Sequence, residues 1–467
     1  MEYDRNLIAC RNCDTLVRKR RLSGSGEIAC CPRCSATLYS NMSRRINLTS
    51  AVALAALITF LIAQAYPILE LVADGTTSHT TLIGAIVVLW RENMQFVAAL
   101  VCCSAVLFPL TELLALLYVL IPVSTGYIPP GFNKVLRLIQ LVRPWEMIEV
   151  FMLAVLVTMV KMQSLARVIP ETALFAFAAL TLMLAALVKL DLFALWDFAD
   201  GLAAGKPTKY PAGDSGEATQ PVPAMAAASR SLPKASPTLT YVTALQMGLI
   251  ACNACGQVEP RNLSIKRQRC SRCDSVLQRR HPDSLRRTWA LLVAAALLYI
   301  PANLLPVMHT ASLLDTQDNT IISGVVYFWT SGDWPLAVVV FVASIIVPML
   351  KISALVLLLV TAQRHSRWYP RERTTLYRFL ERIGRWSMLD VFVVTLTVAL
   401  VRFQAFAEVT AGLGVIAFGA VVILTLLASM KFDPRLTWDG AGDSPDVVHD
   451  SNDDGHKSTH VRSPSVK

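Results

Sequence analysis

The chain has 467 residues, of which 54% are hydrophobic and 16% are charged, and its mean hydropathy is +0.50. These values exclude an ordinary soluble globular protein. The formal net charge of +10 favours contact with anionic lipid headgroups, but the basic residues are spread along the chain without a binding module. We therefore expect no nucleic-acid partner.

Residues 1–45 are polar and contain two Cys-x-x-Cys pairs, Cys10 with Cys13 and Cys31 with Cys34. Two residues between thiolates let one tight turn present both sulfurs to a single ion, and two such turns complete a tetrahedron. The spacing predicts a zinc ribbon over residues 1–45. Cys30 lies beside Cys31, but only Cys31 has the required spacing to Cys34.

Residues 46–200 are predicted to form a first domain of four transmembrane helices. Each apolar stretch approaches or exceeds the roughly 20 residues that cross a bilayer as a helix, and none has the polar stripe of a soluble amphipathic helix. The four stretches are residues 46–69, 94–121, 145–165 and 172–195. The loop over residues 70–93 contains Trp90 and is expected to lie at the outer membrane surface.

The same order of segments follows a second time. Residues 201–240 are rich in Ala, Pro, Ser and Gly, which predicts a flexible linker. A second zinc ribbon is predicted over residues 241–288, with Cys252, Cys255, Cys270 and Cys273, and a second four-helix domain over residues 289–439. Its apolar stretches are residues 289–307, 334–361, 386–406 and 412–430. The tail, residues 440–467, has almost no apolar residue and is expected to be disordered.

Individual residues recur in the same order in both parts of the chain. Pro67, Trp90 and Pro109 recur as Pro306, Trp329 and Pro348; Trp145, Met147 and Phe151 recur as Trp386, Met388 and Phe392; Asp191, Trp196 and Asp197 recur as Asp433, Trp438 and Asp439. The pattern indicates a tandem duplication. We predict an all-α polytopic membrane protein with eight helices, built from two copies of a cytoplasmic zinc ribbon followed by four helices.

The placement of Lys and Arg predicts that both termini are cytoplasmic. In that orientation Arg91 and Arg167 are the only basic residues of the outer loops. This distribution follows the positive-inside rule. The first apolar block begins behind a polar segment, so no cleavable signal peptide is expected. Thiols in the reducing cytoplasm disfavour disulfides, and the pairs favour two structural Zn²⁺ ions. A redox or metal-sensing role remains an alternative.

Six charged residues within the apolar stretches are candidate transport residues, because a charge inside the membrane is costly. Glu112 and Lys351 lie at corresponding positions after Pro109 and Pro348, and we expect them to contact each other. The alternative is a structural role, in which these polar side chains hold neighbouring helices together. The other four form two corresponding pairs, Glu149 with Lys161 and Asp390 with Arg402. Lys161 and Arg402 are also compatible with snorkelling towards a membrane face.

Two stretches, 386–392 (WSMLDVF) and 432–439 (FDPRLTWD), together with the ribbons and the tandem helices, resemble the paraquat-inducible protein A family over about residues 7–440. The first copy departs from the pattern, because Asp191 is not followed by Pro-Arg and Glu149 replaces Asp. Members of that family are bacterial inner-membrane proteins. They work beside MCE-domain proteins whose periplasmic tunnels bridge the two membranes.

The resemblance implies that the chain loads or extracts phospholipids at the inner-membrane end of such a tunnel and supports envelope integrity. A secondary transporter of small solutes or ions, using the same intramembrane charges, is the alternative. The chain lacks a Gly-x-x-x-x-Gly-Lys-Ser/Thr loop, so ATP-driven pumping is not expected. We also expect no enzymatic activity, because nucleophile motifs and paired catalytic carboxylates are missing from the sequence.

Overall fold

The computed structural model describes residues 7–19, 28–40, 46–73, 76–91, 94–162, 167–188, 190–203, 241–262, 265, 267–281, 283–312, 316–332, 334–364, 366, 368–389, 391–393, 395–396 and 407–439. We call residues 7–203 the first half and residues 241–439 the second half. Most of the predicted linker, the predicted tail and most of the predicted helix over residues 386–406 lie outside the described residues.

The two cysteine-rich segments are small β structures. Strands β1 and β2 pair antiparallel, as do β3 with β4 and β8 with β9. The strands are β1 (Leu7–Ala9), β2 (Leu16–Arg18), β3 (Ile28–Cys30), β4 (Thr37–Ser40), β8 (Leu249–Ala251) and β9 (Val258–Pro260). We call the segments 7–40 and 249–277 ribbon 1 and ribbon 2.

The first half is mainly helical. Its helices are α1 (Ile46–Ala65), α2 (Leu82–Arg91), α3 (Gln95–Val101), α4 (Phe108–Ser124), α5 (Phe132–Val142), α6 (Ile148–Met162), α7 (Thr172–Val188) and α8 (Leu192–Ala203). Helix α1 packs against α4 and α7. Small residues on its buried face, Ala53, Ala56 and Ala63, let these helices approach closely.

The described helices of the second half follow the same order, apart from the counterpart of α6, most of which lies outside the described residues. Its helices are α9 (Ser284–Leu304), α10 (Ile321–Thr330), α11 (Trp334–Phe341), α12 (Val347–Gln363), α13 (Pro370–Ile383), α14 (Leu413–Lys431) and α15 (Leu436–Asp439). Helix α9 packs against α12 and α14, as α1 packs against α4 and α7. The predicted internal correspondence is therefore visible in how the described helices pack.

Five described helices are long and apolar enough to cross a membrane, and the count is six if the bent pair α7 and α8 forms one span. The five are Ile46–Ala65, Gln95–Ser124, Ser284–Leu304, Ala337–Gln363 and Leu413–Lys431. Many of their large apolar side chains are exposed, Leu304 at 73% and Leu413 at 66% among them. A surface of this kind faces lipid.

The expectation of an all-α chain was wrong for the predicted outer loops. Each half has a three-stranded antiparallel sheet at the ends of the helices opposite to the ribbons, in the order β6-β5-β7 and β11-β10-β12. The strands are β5 (Leu69–Ala73), β6 (Thr76–Thr80), β7 (Arg167–Pro170), β10 (Met308–Ser312), β11 (Thr316–Asn319) and β12 (Ala407–Ala411). The third strand of each sheet, β7 or β12, pairs with a hairpin that is far away in sequence, so local patterns did not reveal the three-stranded sheets.

Two segments that were expected to be inner loops are amphipathic helices. In α5 the buried residues Phe132, Leu136 and Ile139 recur at helical spacing, and in α13 Tyr377 and Leu380 do the same. A helix with one apolar stripe lies along a surface and buries that stripe against it. These helices provide the surface on which the ribbons dock.

The helices that contain Pro109 and Pro348 continue past their prolines through π-helical turns. These turns, Cys102–Leu107 and Val342–Ile346, end two residues before each proline. Proline lacks an N–H group and clashes with the carbonyl four residues earlier, and a wider turn accommodates it. Both halves therefore accommodate the corresponding proline with a π-helical turn.

The two halves meet through corresponding residues. The rings of Phe151 and Phe392 contact edge to face, with centroids 5.6 Å apart, and both side chains are fully buried. Nearby, Gly419 of α14 faces Phe96 of α3. This interface belongs to one buried apolar cluster that extends through both halves.

Candidate metal centres and buried charges

The four predicted cysteines of ribbon 1 converge on one point. The Sγ atoms of Cys10 and Cys34 are 3.5 Å apart, as are those of Cys13 and Cys31. Asp14 and Ser35, which follow the second cysteine of each pair, have left-handed backbone angles, φ 62° and 56°. This conformation turns the chain so that both thiols of a pair face the same side.

Ribbon 2 repeats this geometry. The Sγ atoms of Cys252 and Cys273 are 3.6 Å apart, and those of Cys255 and Cys270 are 3.5 Å apart. The residue after each pair is again left-handed: Gly256 at φ 74° and Asp274 at φ 57°.

The donor set of both clusters fits a tetrahedral ion. A zinc ion with Zn–S bonds of about 2.3 Å holds its sulfurs about 3.8 Å apart. The eight ligand cysteines are at most 2% exposed, and all eleven cysteines are free. Each set of four thiols could hold a metal ion. Cys30 is exposed and outside the cluster, as its spacing predicted.

The second cysteine pair of each ribbon docks on the opposite half of the chain. Arg378 of α13 donates to the carbonyl oxygens of Cys34 (2.8 Å) and Ser35 (3.2 Å) in ribbon 1. Arg137 of α5 donates to the carbonyl oxygen of Cys273 in ribbon 2. Arg137 and Arg378 are corresponding residues, so the contact is crossed: ribbon 1 binds the second half and ribbon 2 binds the first.

Two tryptophans brace the helices that carry these arginines. Trp196 Nε1 donates to Asn133 Oδ1 and Trp438 Nε1 donates to Thr374 Oγ1, both at 2.8 Å. Trp438 also packs among the cysteines of ribbon 1. The tryptophans that recur in the sequence therefore hold corresponding positions under opposite ribbons.

The first cysteine pair of each ribbon contacts its own half through an arginine. This arginine belongs to the helical part in the second half and to the ribbon in the first half. In the second half Arg435 donates to Asn253 of ribbon 2 at 3.2 Å. In the first half Phe193 occupies the position of Arg435, and Arg11 of ribbon 1 occupies the position of Asn253. The Arg11 guanidinium lies 3.4 Å from the Phe193 ring centroid, a cation–π contact.

This exchange accounts for the missing arginine of the Pro-Arg pair in the first half. The Arg435 guanidinium binds the Asp433 carboxylate through two atoms, at 3.0 and 3.1 Å. Burial alone would raise the pKa of Asp433, but this guanidinium and the backbone N–H groups of His281 and Arg435 lower it. In the first half Arg11 is attracted electrostatically by Asp191, as Arg435 is by Asp433.

The expected contact between Glu112 and Lys351 does not form. Glu112 pairs with Arg143, whose Nε lies 3.2 Å from Glu112 Oε1, while Lys351 Nζ donates to the carbonyl oxygen of Gly384 at 3.5 Å. Both Glu112 and Lys351 are 1% exposed. The correction has a physical reason, because each charge finds a nearer partner at the end of its own amphipathic helix.

The two pairs are nevertheless related. Gly384 corresponds to Arg143, as Lys351 corresponds to Glu112. A Cβ at Gly384 would lie 3.1 Å from Lys351 Nζ, so the absence of a side chain makes room for the lysine. Glu112 Oε2 is buried without a hydrogen-bond partner. The first half thus retains an unsatisfied acceptor, and in the described residues the second half pairs Lys351 with a neutral carbonyl.

Of the remaining candidate transport residues, only the position of Glu149 is described in full. It lies in the first turn of α6 and is exposed. Asp390, Arg402 and the side chain of Lys161 lie outside the described residues. The sequence did not identify Arg143 as a functional residue. The signal that could have identified it is the apolar stripe of α5, which ends directly before Arg143.

Comparison with known proteins identifies the family of this chain. The family model "Paraquat-inducible protein A" matches residues 46–200 and 285–441. The chain belongs to the paraquat-inducible protein A family. The two matched segments cover the helical parts of both halves and leave out the two ribbons.

Relatives in the family are similar over nearly their whole length. The intermembrane transport protein PqiA of Escherichia coli K12 is 32% identical over 434 residues, which cover 92% of this chain and 95% of that protein. A probable intermembrane transport protein of Haemophilus influenzae is 29% identical over 440 residues (92% and 95%). The lipophilic envelope-spanning tunnel protein A of E. coli K12 is 28% identical over 431 residues (92% and 90%). No solved structure matches.

Proposed function

We propose that this chain is the inner-membrane component of an intermembrane phospholipid transport system. One observation carries the proposal: relatives named for intermembrane transport are similar over 92% of the chain. Its partners are membrane phospholipids and an MCE-domain protein with a periplasmic tunnel, which receives or delivers the lipid.

The proposed architecture has eight transmembrane helices and two cytoplasmic termini. It comprises a ribbon domain (1–45), a four-helix domain (46–200), a linker (201–240), a second ribbon domain (241–288), a second four-helix domain (289–439) and a tail (440–467). Each ribbon holds one structural Zn²⁺ through four thiolates. A ribbon is too small to have a sufficient core, so the ion supplies much of its folding free energy.

In this proposal the buried charges contact lipid headgroups during transport. Glu112 and Lys351 are costly to bury, and both keep incompletely matched partners among the described residues. Such groups favour a binding role, because a buried charge without a fully matched partner costs several kcal/mol, and a ligand of opposite charge removes part of that cost. Glu149, Asp390, Lys161 and Arg402 extend the proposed polar path towards the two membrane faces.

A photocrosslinking experiment tests the lipid proposal. A photoreactive residue replaces Lys351 or Glu112 in the full chain in the native membrane. Matched controls replace Leu355 and Leu116, which are equally buried and lie one turn further along the same helices. After irradiation, mass spectrometry identifies the adducts.

We expect phospholipid adducts at positions 112 and 351 well above those at 116 and 355. Equal yields at all four positions would contradict the headgroup path. Adducts with a small solute in place of phospholipid would favour the secondary transporter instead.

A further inference from the structure

Three side chains with metal-binding groups converge on the sheet of the first half, at the end opposite to ribbon 1. Glu70 lies on β5, directly opposite His79 on β6 in the antiparallel register. Glu171 follows β7, and its backbone N–H binds the carbonyl oxygen of Ile68. Three separate chain segments therefore meet at one place.

The arrangement is that of a ligand set. One imidazole nitrogen and two carboxylate oxygens lie within 4.8 Å of one another. Within the described part of the chain these side chains make no hydrogen bond or ion pair, although two carboxylates at this distance repel each other. A divalent cation removes that repulsion, and an imidazole among its ligands favours a transition metal over Mg²⁺ or Ca²⁺.

The sheet of the second half supplies an independent observation. In its register His309 on β10 is opposite Asp318 on β11, at the positions that correspond to Glu70 and His79. Both sheets therefore pair a histidine with an acidic residue at the same point of the backbone register, with the two residue types exchanged. The residue that corresponds to Glu171 is Gly412, so this sheet lacks the third ligand.

We propose that Glu70, His79 and Glu171 bind a divalent first-row transition-metal ion on the outer face. The ion links β5, β6 and the start of α7, and thereby ties the outer hairpin to the helices beneath it. Ligand oxygens and nitrogens around a tetrahedral ion lie about 3.5 Å apart. The two glutamates are half-buried and the histidine is exposed.

Metal analysis of the purified full chain tests this site with Zn²⁺ as the probe. After dialysis against buffered submicromolar free zinc, we expect one fewer zinc per chain in His79→Ala and Glu171→Gln than in the unmodified protein. Glu372→Gln removes an exposed carboxylate on α13 and is the matched control. Asp318→Asn tests the sheet of the second half, which has Gly412 at the position of Glu171. We expect this substitution to leave the zinc stoichiometry unchanged.

A second measurement does not depend on the occupancy of the ribbons. Diethyl pyrocarbonate modifies histidine, and bound Zn²⁺ should protect His79 from it. Outer-shell partners of a metal ligand alone contribute about 10–100-fold in affinity, so we expect Glu171→Gln to raise the zinc concentration needed for protection by about tenfold or more. Equal protection in both proteins, or equal stoichiometry in His79→Ala and the unmodified chain, would overturn the proposal and leave adventitious binding only.

Discussion

At the scale of single residues, the two halves keep contacts while changing the residues that make them. A buried pair joins positions 112 and 143 in the first half, and positions 351 and 384 in the second. The first pair is an acid with an arginine; the second is a lysine with a glycine carbonyl. The change at position 351 is accompanied by a change at position 384, where glycine leaves room for the lysine and offers it a carbonyl oxygen.

The pair of Lys351 and Gly384 gives a direct prediction. We expect Gly384→Ala to lower the free energy of unfolding by about 1–3 kcal/mol, because an added methyl group crowds a fully buried side chain. Thermal unfolding in detergent measures the change. Gly324→Ala is the control: it too lies within a helix, but no atom is within 4 Å of its added Cβ.

Combining Gly384→Ala with Lys351→Met distinguishes crowding of the lysine from a general effect of alanine at position 384. In that background the lysine ammonium is gone, so the cost of Gly384→Ala should shrink. The same cost in both backgrounds would show that Lys351 Nζ is not what the new methyl group meets.

At the scale of elements, the ribbons depend on the amphipathic helices beneath them. Arg378 of α13 and Trp438 of α15 both contact ribbon 1. A charge-assisted hydrogen bond contributes about 1.5–3 kcal/mol, and the ribbon carbonyls are correctly placed only while the metal site is folded. A metal ion held by ribbon 1 would therefore stabilise a surface of the second half.

Substitution of neighbouring thiols tests this dependence. We expect Cys34→Ser to remove one bound zinc per chain and to make residues 7–40 sensitive to protease. Cys30→Ser, next to the cluster but outside it, should change neither. Zinc content and limited proteolysis of the purified chain give the two readouts. Loss of zinc in both variants would contradict the assignment of Cys31 rather than Cys30 as the ligand.

The sequence predicted the elements whose signal is local. Cysteine spacing predicted both clusters, and apolar length predicted the five described spans. The outer sheets, the crossed docking and the Glu112–Arg143 pair depend on residues far apart in sequence, such as Leu69 opposite Pro170. One chain without an alignment gives no signal for such pairs, although the correspondence of Arg137 with Arg378 was present in the duplicated pattern.

At the scale of the whole molecule, the crossed ribbons make the halves interdependent. Ribbon 1 and ribbon 2 also contact each other, because Arg280 next to ribbon 2 pairs with Asp14 of ribbon 1 at 3.2 Å and with Asp439 at 2.6 Å. Neither half contains all the partners of its own ribbon.

Cutting the chain tests this interdependence. We expect two fragments separated within residues 204–240 to purify together when they are co-expressed, and to lose zinc when each is expressed alone. Arg137→Ala with Arg378→Ala should weaken the pairing, whereas Arg382→Ala, exposed on α13, should not. Fragments that keep their zinc in isolation would contradict the crossed arrangement.

The contact between Phe151 and Phe392 marks where a twofold axis would pass if the halves were separate, identical subunits. Such a homodimer must place the same amino acid on both sides of its axis. A single gene for both halves removes that restriction, and an acid on one side can then face a base or a glycine on the other. Glu112 and Lys351 are an asymmetry of this kind, which gives the membrane region two chemically different sides.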